Sequence, residues 1–388
     1  MVRPQVFLRQ GSSMLQFLAP LCIGFLVSLA MMLALRPIAS HMGLVDVPGG
    51  RKTHSGEVPV IGGIAMFLGM LAAALSVDVS WVGEAALLVA SALMVIVGAL
   101  DDRLEIPPYA RIVAHIAAAV TLTMASGYTV ESLGDLFGFG DVGLGPVSFA
   151  FTVVAAIALI NGFNMLDGLD GLAGGVALIA LGGLSYYFLG SANSSAAIVS
   201  FGLVGAICAF LIFNLPAKFN RSVLAFMGDA GSTLLGFILA ALALVAIQPR
   251  GEGLPPVVVL WLLPIPVIEL FTSTIRRALT GLSPMQADRG HFHHRLLEGG
   301  FSVKAVFILY LLVSFFSAVA GIWMWKSGVS EPFLFYLFLV ISGIWLLATH
   351  KVKKLVSCLP ESLRRGKSPH GLVLRRIRAS RDRSGPIG

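Results

Sequence analysis

Charge is scarce in this chain: Asp, Glu, Lys and Arg make up 12% of its 388 residues, against 57% that are hydrophobic. That is about half the charged fraction of an ordinary soluble domain, too little to coat a water-exposed surface. Cysteine is scarce as well. Cys22, Cys208 and Cys358 fall in two apolar runs and the C-terminal segment without metal-type spacing, so neither a disulfide framework nor a cysteine metal site is expected. No repeat of solenoid period occurs, and no loop is long enough for a soluble domain. The net charge of +7 does not point to nucleic acid, because the basic residues lie in short loops and the tail, where membrane orientation and anionic lipid account for them.

What the chain has in abundance is long apolar runs, with a mean hydropathy of +0.89. They fall at about 14–35, 58–77, 85–100, 110–126, 146–160, 172–190, 197–213, 231–248, 255–275, 303–325 and 333–349. The fold class expected is an all-α, polytopic integral membrane protein with about 11 transmembrane helices. Arg3 and Arg9 precede the first run, which is too long for a signal peptide and lacks a small-residue cleavage site, so it reads as an uncleaved span. Alternating the spans puts 23 Lys or Arg on one side, against 4 on the other. By the positive-inside rule the N-terminus lies outside (periplasmic in a bacterium) and the C-terminus is cytoplasmic. Residues 1–350 form the transmembrane domain, and 351–388 a basic cytoplasmic tail lying near anionic membrane lipids.

Against this background the stretch Asn161-Gly-Phe-Asn-Met-Leu-Asp-Gly-Leu-Asp-Gly171 stands out. It sets Asn161, Asn164, Asp167 and Asp170 at steps of three between apolar runs, where a carboxylate costs about 2.5–3.5 kcal/mol and by default marks a functional site. On one helix, steps of three would spread the four around about half the circumference. The interleaved glycines argue instead for a helix end, a turn and a new helix start. A helix N-terminus favours phosphate, and clustered carboxylates favour a hard cation such as Mg²⁺. The plain alternative is a sharp interhelical turn.

Three further motifs share the side assigned to the cytoplasm. Asp101-Asp102-Arg103 ends an uncharged run; adjacent carboxylates repel, and a cation or a shared proton relieves them, whereas a simple charged helix end is the alternative. Phe226-Met-Gly-Asp229-Ala-Gly-Ser232 places Asp229 as a metal ligand or as a helix N-cap, with Asn214, Lys218 and Arg221 giving the same loop a phosphate-friendly field. His291-Phe-His293-His294-Arg295 lacks a spaced partner for tetrahedral zinc, and fits better as imidazoles and a guanidinium gripping a pyrophosphate or sugar; a solvated basic loop is the alternative. The first loop, Asp46 to His54 followed by Val58-Pro-Val-Ile-Gly-Gly63, is by itself a Pro/Gly-rich basic turn. His115 reads as a packed helix residue, and Glu269, near Pro264 and Pro266, as a carboxylate supporting the site from behind.

Taken in order, these motifs resemble the polyprenyl-phosphate N-acetylhexosamine-1-phosphate transferases (glycosyltransferase family 4), over about residues 44–300. The run Asp288-Arg-Gly-His-Phe-His-His-Arg-Leu-Leu297 is similar to the undecaprenyl-phosphate N-acetylglucosamine-1-phosphate transferase branch, which initiates O-antigen, common antigen or teichoic acid linkage units. The resemblance implies Mg²⁺, with Mn²⁺ as a substitute, undecaprenyl phosphate as acceptor, a UDP-N-acetylhexosamine as donor and UMP as leaving group; a homodimer is allowed. It implies catalytic roles for Asp101, Asp102, Asp167 and Asp170, and metal binding by Asn164 and Asp229. Substrate binding falls to Lys52, Arg111, Asn161, His291, His293, His294 and Arg295. Arg111 stands where many relatives have Lys. Other donors of the same chemistry, the muramoyl-pentapeptide donor among them, remain alternatives. From a different class, an ion-coupled transporter predicts polar groups at the bilayer midplane and paired halves, and lipid binding without catalysis leaves the full acidic set unexplained.

Overall fold

The computed structural model describes residues 5–47, 56–76, 82–191, 194–215, 223–248, 253–279 and 291–357. Its helices are α1 (Gln5–Leu35), α2 (Gly62–Leu75), α3 (Val82–Leu104), α4 (Pro108–Ser126), α5 (Ser148–Leu166), α6 (Leu172–Leu189) and α7 (Ser194–Asn214). They continue with α8 (Gly228–Ala246), α9 (Pro256–Leu262), α10 (Pro264–Leu279), α11 (Phe292–Glu298), α12 (Val303–Lys326) and α13 (Glu331–Ser357). The fold is all-α and polytopic. Each expected span contains a helix, and among the described residues nine are long and apolar enough to cross a membrane. The two exceptions are α2, which has 14 residues, and the α9–α10 pair, which makes a tenth crossing where it is counted as one span.

That pair is bent by 91° at Leu263. Pro264 follows the break, and proline both removes an amide donor and disfavours helical geometry in the residue before it. Pro264 and Pro266 therefore do more than kink a span. They redirect α10 across the end of α5, where Pro266 packs on Gly162.

The bundle is layered around α8. Its apolar stretch is 83% buried, against 22–28% for α1, α12 and α13, so lipid-facing helices ring an inner set that includes α6 and α7. Lipid tails are as apolar as the helices, which leaves close packing to drive association, and small residues permit it. Gly63 of α2 and Gly98 of α3 lie against the backbone of Ala230 and its neighbours on α8, and Gly236 of α8 lies against Leu159 and Ile160 of α5. A side chain at any of the three would meet backbone.

One small sheet matters to the site. β1 (Val45–Asp46) pairs antiparallel with β2 (Val58–Pro59), and the chain beyond β2 bonds to the segment that enters α8. Phe226 N–H donates to Pro59 C=O at 2.8 Å, and Gly62 and Gly63 N–H donate to Phe226 and Met227 C=O at 3.0 Å. The Pro/Gly-rich first loop is thus the brace that fixes where α8 begins. Lys52, and with it the rest of 48–55, lies outside the described residues, as do Lys218, Arg221, residues 280–290 and the tail from 358.

Candidate active site

Three helix ends deliver the carboxylates. Asp101 and Asp102 sit in the last turn of α3, Asp167 caps the C-terminus of α5, Asp170 lies in the turn to α6, and Asp229 is in the first turn of α8. The stretch 161–171 is the expected helix end, turn and helix start, and Gly171, with φ +76°, opens α6. None of the five acids lies at mid-span, in contrast with the transporter expectation. The turn is held from behind: Gly171 N–H donates to Asn214 Oδ1 at 2.6 Å, while Asn214 Nδ2 donates to Ala225 C=O at 3.0 Å. Asn214 is buried and works as a staple between the 167–171 turn and the entry to α8, where the sequence had placed it in a phosphate field.

Asp229 is the hub. Its Oδ1 accepts Asn164 Nδ2 at 2.6 Å, and its Oδ2 accepts Arg111 Nη1 at 3.2 Å. The same Arg111 nitrogen lies 2.6 Å from Asp101 Oδ2, so one guanidinium from the first turn of α4 bridges the α3 and α8 carboxylates. Asn164 Nδ2 also reaches Ser232 Oγ at 3.1 Å. Ser232 belonged to a quoted motif, but its role had no signal in the sequence beyond that.

The N-cap alternative for Asp229 is not what the structure uses. Met227 occupies that position without a side-chain cap, and the capping group comes from another helix. Asp102 Oδ1 accepts Asp229 N–H at 2.9 Å and Oδ2 accepts Ala230 N–H at 3.3 Å, satisfying amides that a helix N-terminus leaves unpaired. Gly228, with φ +73°, permits it: a Cβ there would collide with the Asp102 carboxylate. The Asp-Asp pair therefore divides its labour, Asp101 toward Arg111 and Asp102 toward the α8 backbone.

Asp167 is exposed to solvent, beside the negative charges of Asp229, Asp102 and Asp170. Asn161 lies on α5 one turn before Asn164. A polar cleft of about 440 Å³ opens beside Asp102, between the 43–47 segment and Arg103 to Glu105.

The histidine motif reaches the same turn. His291 is the N-cap of α11, its ring stacks on His293 at 5.8 Å between centroids, and His293 meets His294 at 4.2 Å. A Cβ added to Gly168, between Asp167 and Asp170, would come within 2.7 Å of His293 Nε2 and 3.5 Å of His294 Nε2. Glycine at 168 thus leaves the space that the imidazoles occupy. His293 is fully buried, and desolvation, followed by His294 and His291, lowers its pKa to about 2, so it is a neutral ring. Arg295 is engaged elsewhere: its Nη1 donates to Thr349 C=O at 3.1 Å, bracing α11 on α13. His115 is buried one turn along α4 from Arg111, as expected of a packed residue.

The donor set is hard oxygen with an excess of negative charge. Among the described residues no three metal-binding side chains already form a cage. The hard oxygen donors suit a cation such as Mg²⁺, which takes one or two carboxylates and completes its shell with substrate phosphates and water.

The sequence profile described as glycosyl transferase family 4 matches residues 85–247, the segment that carries all five carboxylates. The chain is 34% identical to an undecaprenyl-phosphate alpha-N-acetylglucosaminyl 1-phosphate transferase of Yersinia pestis, over 84% of its own length and 87% of the relative's. The protein of that name from Escherichia coli (strain K12) is 33% identical, over 89% and 96%. One from Haemophilus influenzae is 32% identical, over 84% and 93%. Similarity at this level over nearly the whole of each chain, on a fold whose helix ends bring the four motifs together, means that the protein belongs to glycosyl transferase family 4.

Proposed function

We propose that the protein transfers N-acetylglucosamine 1-phosphate from UDP-N-acetylglucosamine to undecaprenyl phosphate, releasing UMP, at the cytoplasmic face of a bacterial inner membrane. The observation that carries this reading is the convergence of acids from α3, α5 and α8 with Arg111 and the imidazoles of α11 at helix ends. A water-soluble donor and a lipid-anchored acceptor meet only at such an interface. The relatives' names supply the acceptor and the sugar phosphate.

In the reaction an oxygen of the lipid phosphate attacks the β-phosphorus of the donor. The bond from that phosphorus to the bridging oxygen breaks, and UMP carries the electron pair away. The protein positions and neutralises more than it bonds. Asp102 fixes the first turn of α8 and so the place of Asp229, Asn164 orients the Asp229 carboxylate, and Arg111 balances charge between Asp101 and Asp229. The neutral His293 holds the turn bearing Asp167 and Asp170 in register with His291 and His294, which face the donor. Asp229 and Asp167, with Asn164 alongside, would hold Mg²⁺, which supplies charge neutralisation at the pyrophosphate.

The test is UMP release by the purified full-length protein in detergent, with undecaprenyl phosphate and a panel of UDP-sugars that includes the muramoyl-pentapeptide donor. UMP that appears with UDP-N-acetylglucosamine, and requires both the lipid and Mg²⁺, supports the assignment. Release with another donor instead overturns the sugar, and no release from intact protein with any donor overturns the reaction.

A further inference from the structure

Beyond the five acids, the described chain holds one more carboxylate buried against the site's elements, Glu269 of α10, 2% exposed. The 91° break brings it behind α11. Its Oε1 accepts the hydroxyl of Tyr310 on α12 at 2.7 Å, and its Oε2 accepts Phe292 N–H, the first amide of α11, at 3.3 Å. The Tyr310 ring meets the His293 ring edge-on, at 6.2 Å between centroids. The same Oε2 lies 3.7 Å from His291 Nδ1, a buried ring nitrogen with no hydrogen bond of its own. The leading amide of a seven-residue helix and the imidazole that precedes it thus face one carboxylate, which one phenol holds in place.

So short a helix does not hold itself. Packing of Phe292 on Trp345, at 4.6 Å between centroids, and the Arg295 bond to Thr349 tie it to α13. The rotation that decides where His291, His293 and His294 present their nitrogens is left to Glu269 and Tyr310. Neither of these reaches the Asp229 cluster through any bond observed.

We propose that Glu269, acting with Tyr310, is the positioning residue of the donor side: it sets the orientation of α11, and therefore the affinity for the sugar nucleotide, without touching either substrate. This rests on the transferase reading above. The pair separates donor from acceptor because α11 presents imidazoles, suited to phosphate and sugar, whereas the acceptor's long apolar chain requires a lipid-facing route. Phe292 and Leu296 are turned inward and offer none.

The experiment compares full-length wild type with Glu269→Gln, Tyr310→Phe and the double variant. Glu269→Gln keeps the shape but turns one acceptor into a donor, and Tyr310→Phe removes a single hydroxyl. Loss of a buried hydrogen bond predicts a rise of about tenfold in KM for the UDP-sugar. KM for undecaprenyl phosphate and kcat should stay within about twofold, and the double variant should be no worse than the poorer single one, as coupled residues behave. Amide hydrogen exchange gives a second readout independent of activity: 291–298 should exchange faster in the variants while 228–246 is unchanged. Equal rises in both KM values, an unchanged donor KM, or faster exchange throughout the protein each overturn the proposal. Should Glu269→Gln fail to fold, Tyr310→Phe carries both readouts alone. A wild type that releases no UMP from any donor overturns the transferase reading, and the exchange pattern then still decides whether Glu269 and Tyr310 set α11.

Discussion

Replacing Asp102 by Asn tests the site's most specific arrangement. The carboxylate accepts two amides from the first turn of α8, at 2.9 Å and 3.3 Å. Asn keeps the shape and one acceptor. Its oxygen would stay on Asp229 N–H, the shorter bond, and its amide nitrogen would then face Ala230 N–H, donor against donor. The change also removes a negative charge from a helix N-terminus. Together the lost bond and the lost dipole interaction come to about 1–3 kcal/mol. The rest of α8 is packed on every side, so the helix persists and the cost falls on the placement of Asp229. If that cost appears in the transition state, kcat/KM falls by about 5- to 150-fold. UMP release would be compared with thermal stability in the same detergent. Asp102→Ala, which leaves both amides bare, should lose more. Activity of Asp102→Asn within twofold of wild type would refute the reasoning, as would a loss that merely tracks the fraction of folded protein.

Gly168→Ala introduces a Cβ 2.7 Å from His293 Nε2, and the overpacking of about 1–3 kcal/mol should weaken donor binding by roughly tenfold or more, read as KM for the UDP-sugar; an unchanged KM would mean that the turn and α11 are not in contact. Arg111→Lys keeps the charge but not the planar fork, and about tenfold lower kcat is expected, with KM values for both substrates little altered. Acid stability offers a prediction with a sign. The unfolded chain protonates His293 below its usual 6.5, while the folded protein keeps it neutral down to about 2, so stability falls through this residue as pH drops from 7 to 5. His293→Gln should flatten that slope in melting experiments at the two pH values; an equal slope in the variant would show that His293 is not buried neutral.

Much of the fold was legible because hydropathy is a local property. Each long apolar run became helical, the 255–275 run as the broken α9–α10 pair, and the Gly-interrupted 161–171 stretch became a turn between two helices. The acids were legible for a related reason: a carboxylate beside hydrocarbon is costly enough that its presence has to be explained residue by residue. The roles within the site were not. Asp102 and Asp229 are separated by 127 residues, and nothing in either motif says that one caps the helix that begins with the other. The sequence places Asn214 in a phosphate-friendly field, yet it is a staple, since its partners, at 171 and 225, are set by how α7 meets the turn. Arg295 shared a motif with three histidines, but its guanidinium is bonded to the Thr349 carbonyl of α13.

The sequence alone, then, determined a helical membrane protein, the helix ends at which chemistry is affordable, and the four motifs that mark its family. Tertiary structure alone decided which carboxylate serves the backbone and which the guanidinium, where the broken α9–α10 pair points, and what holds α11 against the acidic turn. The division has a physical reason. Partition between water and lipid is paid residue by residue along the chain, whereas a hydrogen bond between α3 and α8 exists only after glycines have let those helices approach.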